Sequence, residues 1–65
     1  MTGNELKARR KAMDLRQEDL ARELDVVVSS VARWEQLKEA EVPNSKFLEL
    51  ALEGLESRIK ASSEN

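Results

Sequence analysis

Apolar residues recur at helical spacing along this chain, in segments separated by polar breaks. Leu6 and Met13 are seven positions apart, so they share one face of a first helix that we expect to run from about Thr2 to Met13. Thr2 and Glu5 have the spacing of a capping box, because the hydroxyl can accept a first-turn N–H and the carboxylate can reach back. Arg10 falls on the same face as Leu6, and a charge that faces a core needs an acidic partner.

A second and a third helix are predicted at short intervals. The second is expected from about Gln17 to Leu24, and the third from about Val28. The apolar residues that these helices would bury are Leu20, Ala21 and Leu24, and then Val27, Val31 and Trp34. The opposite side of the third helix is short-chained and polar, and it carries Ser29, Ala32, Arg33 and Gln36. The end of this helix stays open, because residues 36–41 are mostly helix formers that could extend it toward Glu41.

A fourth helix is expected after the break at Pro43. It would begin near Ser45, with Asn44 or Ser45 as its cap, and end near Ile59. Its apolar arc consists of Phe47, Leu48, Ala51, Leu52, Leu55 and Ile59, and Leu50 lies outside that arc. This is more apolar surface than one small core needs. We therefore predict a homodimer interface formed by Phe47, Leu50, Leu55 and Ile59.

The composition fits a small all-α protein. A chain of 65 residues makes one domain, which we place at residues 1–60, and we expect residues 61–65 to be a disordered tail. Aromatic residues are only 3% of the chain, which argues against a β-sandwich or barrel. Gly54, inside the fourth helix, either allows close approach of another helix or has no consequence.

The residue types argue against most catalytic and metal-binding functions. The chain has no histidine, cysteine or tyrosine, so we expect no disulfide, zinc site, catalytic residue or cofactor. The net charge of −2 is not typical of a nucleic-acid binder, but the charge is uneven: residues 1–33 carry seven basic and six acidic groups, and residues 34–65 carry four and seven. Without a long apolar stretch or a signal-peptide pattern, a cytoplasmic protein with no membrane contact is expected, nucleoid-associated when it is bound to DNA.

The segment from Gln17 to Trp34 has the layout of two helices joined by a turn of about three residues. A turn this short forces a steep crossing, so a small residue, Ala21, is needed where the helices nearly touch. Val26 and Val31 would fill the angle between them. Such a pair presents its second helix as a ridge that fits a major groove about 12 Å wide. The sequence therefore predicts that the third helix binds DNA.

This layout resembles the phage repressor and Cro family of helix-turn-helix proteins, over about residues 5–53. The matching stretches are LKARR at 6–10, LRQEDLA at 15–21 and VARWE at 31–35, followed by the apolar helix after Pro43. The resemblance implies a compact, all-α, lambda-repressor-like domain of four to five helices that binds double-stranded DNA. It also implies an ion pair between Arg10 and Glu35.

The resemblance implies roles by position. Gln17, which opens the second helix, would bind a phosphate. Val28, Ser29 and Arg33 match positions that read base edges, where Val28 offers only an apolar contact such as a thymine methyl and Arg33 suits guanine. Ser30 would touch a phosphate or a base. The DNA contacts predicted in full are Gln17, Val28, Ser29, Ser30, Arg33, Gln36, Lys38 and Arg10.

The chain departs from the family at several turn and cap positions. Asp14, Asp25 and Leu37 stand where glycine is usual, and Arg16 and Val27 stand where serine or threonine caps a helix. Aspartate tolerates left-handed backbone better than most residues, whereas leucine does not. A valine cannot cap, so the third helix loses a contribution of about 1 kcal/mol.

The resulting functional hypothesis is a homodimeric transcriptional repressor that reads an inverted repeat with its third helices. The alternative is an antitoxin or adaptor whose main role is to bind a partner protein through its acidic second half and its fourth helix. A scaffold role without DNA is the remaining interpretation. Arg33, Gln17 and the basic run at residues 7–11 are DNA contacts in the first case and solvated surface in the last.

Overall fold

Four helices make up the described part of the chain in the computed structural model, which covers the backbone of residues 1–63 and the side chains of residues 1–60. They are α1 (Gly3–Ala12), α2 (Gln17–Leu24), α3 (Val28–Glu35) and α4 (Ser45–Ser63). Within residues 1–63 the only β-type pairing is an isolated bridge between Thr2 and Glu41. The predicted all-α fold with a helix-turn-helix is confirmed.

The start of α1 follows the capping signal in the sequence. The Thr2 Oγ1 accepts a hydrogen bond from the Glu5 backbone N–H at 3.2 Å. The Thr2 hydroxyl also donates to Glu5 Oε1 at 3.3 Å. The carboxylate therefore binds the cap's hydroxyl instead of its backbone N–H, and the threonine still satisfies one of the first-turn donors that a helix leaves open.

The two helices before α3 end in the same left-handed turn. Asp14 and Asp25 have φ values of 59° and 58°, the conformation for which glycine is usual. After α2, the N–H groups of Asp25 and Val26 donate to the carbonyls of Arg22 and Ala21 at 3.3 and 2.9 Å. This is a Schellman motif, and it points the chain from α2 directly into α3.

Neither α2 nor α3 has a serine or threonine at its N-cap, and the two helices differ in what replaces it. At α2, the Asp19 carboxylate accepts from the Arg16 backbone N–H at 3.0 Å and from Arg16 Nε at 3.1 Å. Hydrogen bonds from the side chain and the backbone of Arg16 hold the pKa of Asp19 below its usual range, which favours the charged carboxylate that makes this cap. At α3, Val27 supplies no side-chain cap at all.

The third helix ends at Glu35, so the extension toward Glu41 does not occur. The N–H groups of Leu37 and Lys38 donate to carbonyls three residues back, those of Trp34 and Glu35, at 3.2 and 3.3 Å. Lys38 then takes left-handed backbone, with φ 55°. The position that needs this conformation is therefore Lys38, and Leu37 packs half-buried against the core.

The segment after α3 closes the N-terminus of α1. The N–H groups of Gly3 and Asn4 donate to the carbonyls of Ala40 and Lys38, at 3.2 and 2.9 Å. A Cβ on Gly3 would lie 2.4 Å from the Trp34 carbonyl oxygen and 2.7 Å from the Lys38 nitrogen. Only glycine fits at this close approach, which the apolar pattern of the sequence did not reveal.

The core lies where all four helices meet. Its buried apolar residues are Met1, Leu6, Leu20, Ala21, Val31, Val42, Leu48, Leu52 and Leu55. The prediction that Val27 belongs to the buried stripe of α3 was wrong, since 66% of its surface is exposed. Val27 precedes the helix with extended backbone, φ −76° and ψ 148°, so helical periodicity does not govern its direction.

The fourth helix is longer than its sequence pattern predicted. It runs to Ser63 instead of ending near Ile59, and so includes residues 61–63 of the segment for which we expected disorder. Residues 64 and 65 lie outside the described residues. Despite the length of α4, none of the described helices is both long and apolar enough to cross a bilayer.

Two ion pairs link the second half of α4 to α1 and α2. Arg9 Nη2 lies 2.8 Å from Glu56 Oε1, and Arg58 Nη2 lies 3.1 Å from Glu23 Oε2. Ile59 packs half-buried against the core beside them. The long helix is therefore fixed to both α1 and α2.

Candidate nucleic-acid interface

The third helix lies across the core and leaves one side open to solvent. Val31 and Glu35 face inward, with 0% and 7% of their surface exposed. The residues that remain exposed or half-exposed on the other sides are Val28, Ser29, Ser30, Ala32, Arg33 and Gln36. This distribution makes α3 a ridge whose outer side carries hydroxyl, amide and guanidinium groups, as the sequence predicted.

A buried ion pair supports α3 from behind. Arg10 Nε donates to Glu35 Oε2 at 2.6 Å, and Arg10 Nη2 donates to Glu35 Oε1 at 3.1 Å. Arg10 Nη1 also donates to the Leu15 carbonyl oxygen at 2.7 Å, and Gln17 Nε2 donates to Glu35 Oε1 at 3.1 Å. The network joins α1, the turn after it, the first residue of α2 and the last residue of α3, so it fixes the ridge relative to the start of α2.

The environment of Glu35 favours its charged form. Burial by itself raises the pKa of the Glu35 carboxyl, but hydrogen bonds from Arg10 and Gln17 and the charges of Arg10 and Lys7 outweigh it. The net effect holds the pKa of Glu35 below its usual range. The carboxylate therefore stays ionised and paired at neutral pH.

The charge on the outer side of the ridge comes from Arg33. Arg33 has no hydrogen-bond or ion-pair partner among the side chains that the structure describes. The acidic residue of α3, Glu35, is turned inward and held by Arg10. At the start of α2, Glu18 is paired with Arg16, at 3.0 Å. Glu35 and Glu18 are therefore both occupied by arginines of the domain itself, although its net charge is −2.

A shallow cleft beside the ridge collects several hydrogen-bond donors. Its lining residues are Asn4, Lys7, Gln17, Ala32, Glu35, Gln36 and Lys38. The amides and ammonium groups on its rim can donate to an anion, while its one carboxylate is already paired at the floor. The cleft lies at the N-terminus of α2, where backbone N–H groups also favour negative charge. It suits a phosphate group.

A helix-turn-helix family model matches residues 6–53, a range that contains all of α2 and α3. The chain belongs to the Cro/C1-type helix-turn-helix family. This helix-turn-helix protein is accordingly a DNA-binding transcriptional regulator. Neither the curated proteins nor the solved structures contain a match to it.

The structure groups the predicted DNA contacts of the helix-turn-helix protein, with one exception. Those on α3 share its outer surface, and Gln17, Gln36 and Lys38 line the adjoining cleft. Arg10 is the exception because it is buried, although it reaches the wall of another shallow cleft beside Gln17 and Val28. Only 10% of its side chain is exposed, and all three guanidinium nitrogens donate inside the protein. Arg10 therefore supports the interface from inside the protein, and its contact with DNA stays a prediction.

The structure also divides the residues predicted for a dimer interface. Phe47 and Leu50 are exposed, at 67% and 66%. Leu55 is buried in the core of the domain, with 6% exposed, and Ile59 packs against the same core. Leu55 is not available to a second chain, because it already fills the interior of its own.

Two residues that line the first cleft were not among the predicted DNA contacts. Asn4 was missed, and Lys7 was considered only as part of the basic run at residues 7–11. Lys7 belongs to a basic run whose other members have different surroundings: Arg9 pairs with Glu56, and Arg10 is buried. The position of Asn4 follows from the bond between its N–H and the Lys38 carbonyl, which no local pattern indicates. Among the described residues, no cluster of His, Cys, Asp or Glu is placed to hold a metal ion.

Proposed function

We propose that this helix-turn-helix protein is a homodimeric transcriptional repressor that reads an inverted repeat in double-stranded DNA. Each subunit places α3 in the major groove of one half-site. The observation that carries the proposal is the exposed Arg33 guanidinium, which has no partner among the described side chains, on a ridge whose own carboxylate, Glu35, is held inward. Arginine is the side chain best suited to the two acceptors of guanine in that groove.

The other side chains divide between base and backbone contacts. Ser29 and Gln36 share the outer side of α3 with Arg33, and each can hydrogen-bond a base edge or a phosphate. Gln17 approaches the phosphates with its orientation set by the hydrogen bond to Glu35. Lys38, at the rim of the cleft, adds a positive charge that a phosphate would meet. Contacts of this kind fix the register of the domain and make its affinity depend on salt.

The second subunit is proposed to dock on the patch formed by Phe47 and Leu50. These two side chains are one helical turn apart on α4 and are strongly exposed. One α3 of eight residues reads only a few base pairs, and a dimer doubles the site by placing two such helices about 34 Å apart, one turn of DNA. A dimer of this kind bound over a promoter would repress by occupying it.

The DNA part of the proposal is tested by selection of duplexes from a random library, followed by affinity measurement on the enriched sequence. We expect an inverted repeat whose half-site centres are about 10 base pairs apart. Arg33→Ala should bind it about tenfold more weakly and with relaxed base preference. Arg22→Ala is the matched control, because Arg22 is also exposed and lies on the side of α2 away from Leu20. A library that yields no enriched sequence would contradict the proposal.

The dimer is tested by light scattering on the purified protein. We expect twice the 7.4 kDa of one chain. Phe47→Glu should shift the protein toward the monomer, while Ala8→Glu, which adds the same charge at an exposed position on α1, should not. A monomeric wild-type protein that gains mass only with a product of a neighbouring gene would favour the adaptor function and contradict the homodimer.

A further inference from the structure

Two adjacent valines at the start of α3 are exposed to solvent. Val27 and Val28 have 66% and 47% of their surface accessible. Of the four large apolar side chains that are exposed in the described residues, the other two are Phe47 and Leu50 on α4. An isolated exposed apolar residue needs no explanation, but two consecutive ones at the end of a ridge form a patch.

Besides being exposed, Val27 leaves the start of α3 without a side-chain cap. It is the N-cap residue of α3, with extended backbone and no side-chain hydrogen bond to the first turn. Serine or threonine at this site would satisfy a backbone donor and stabilise the helix. Val27 is therefore an apolar side chain that is neither buried nor able to cap the helix. Residues that are unfavourable for stability in this way are expected where a side chain serves function.

The surroundings of the valines identify what they meet. Val28 lines a second shallow cleft, at the N-terminus of α2, together with Arg10, Arg16, Gln17 and Glu18. Ser29 follows directly and Arg33 lies about one turn further along α3. The valine patch, Val27 and Val28, therefore lies at the leading end of the surface proposed to enter the major groove. The apolar group in that groove is the 5-methyl of thymine, and a 5-methylcytosine places its methyl on the same ring carbon.

We propose that the valine patch recognises the 5-methyl group of a pyrimidine in each half-site, so that the protein responds to the methyl on thymine and on cytosine alike. The inference rests on the proposed function, since it needs α3 in the major groove. The inference goes beyond the proposed function because it adds Val27 to the interface and makes cytosine methylation a determinant of binding. Neither valine carries a donor or acceptor, so this contact distinguishes the presence of the methyl and nothing else.

The test uses the duplex enriched from the random library, with deoxyuridine placed at one thymidine position at a time. Loss of a contacted methyl should weaken wild-type binding about fourfold per half-site. At the sensitive position, a duplex with 5-methylcytosine should bind about fourfold more tightly than the same duplex with cytosine. The double variant Val27→Ser/Val28→Ser should bind both members of each pair equally, and its thermal melt shows whether it folds.

The outcomes separate this inference from the function on which it rests. If wild-type protein prefers the enriched duplex over a scrambled one but binds its thymidine and deoxyuridine forms equally at every position, the inference is wrong and DNA binding stands. A methyl effect that persists in the folded double variant comes from DNA stiffness, and this also overturns it. If no sequence is preferred, the proposed function fails and the inference fails with it.

Discussion

Arg10 and Glu35 form a two-pronged ion pair inside the domain, with 10% and 5% of their side chains exposed. Glu35→Leu leaves the Arg10 guanidinium buried without its carboxylate, and breaking a buried pair from one side costs about 3–5 kcal/mol. The double variant Arg10→Met/Glu35→Leu removes both charges and should recover part of that loss. Urea unfolding followed by circular dichroism measures both variants. A double variant less stable than Glu35→Leu would contradict this account of the pair.

Acid should destabilise the protein through the same pair. The pKa of Glu35 is lower in the folded protein than in the unfolded chain, so its stabilising contribution is complete above the unfolded value of about 4.3 and is lost as pH falls through the folded value. The free energy of unfolding should therefore fall below about pH 4. Glu35→Gln should show a shallower decline than wild type between pH 5 and 3, as chemical denaturation at each pH would reveal. Equal slopes would mean that the pair does not perturb Glu35.

Gly3 and Gly54 should respond in opposite directions to the same substitution. Gly3→Ala places a Cβ 2.4 Å from the Trp34 carbonyl oxygen, so α1 must move away from the end of α3 and stability should fall by more than about 1 kcal/mol. Gly54→Ala meets no described atom within 4 Å, and should gain about 1 kcal/mol from helix propensity. Thermal melts of the two variants provide the measurement. A neutral Gly3→Ala would show that the close approach is not required.

Val27→Ser should make the protein more stable. The serine hydroxyl can accept from the first turn of α3, where valine leaves a donor open, and a cap contributes about 1 kcal/mol. Val28→Ser is the control, because Val28 lies inside the helix and cannot cap it. The comparison is made by chemical denaturation without DNA. If Val27→Ser were destabilising, Val27 would have a packing role that its exposure does not indicate.

The sequence predicted the elements that local signals control. Thr2 caps the start of α1, and the left-handed turns at Asp14 and Asp25 end α1 and α2. Each of these signals involves only residues within one helical turn of one another. The residues on the outer side of α3, with Arg33 among them, followed from helical periodicity alone.

What the sequence could not predict depends on contacts between distant segments. The end of α3 accompanies the pairing of residues 38–42 with residues 1–4, and the requirement for Gly3 comes from the same pairing. The burial of Arg10, for which the sequence predicted a DNA contact, also depends on tertiary contacts, since its donors are used by Glu35, 25 positions away, and by Leu15. The prediction for Val27 failed for a different reason. Its spacing from Val31 and Trp34 fits the buried stripe of α3, but it precedes the helix, so helical spacing does not determine where its side chain lies.

The most direct test of groove recognition combines Arg33→Ala with a guanine that lacks its N7 acceptor. Each guanine of the enriched duplex is replaced in turn by 7-deazaguanine, and affinities are measured by fluorescence anisotropy at one salt concentration. We predict one guanine per half-site at which the modified base weakens wild-type binding about tenfold but does not weaken binding by Arg33→Ala any further. Losses that simply add at every guanine would show that Arg33 does not read the major groove.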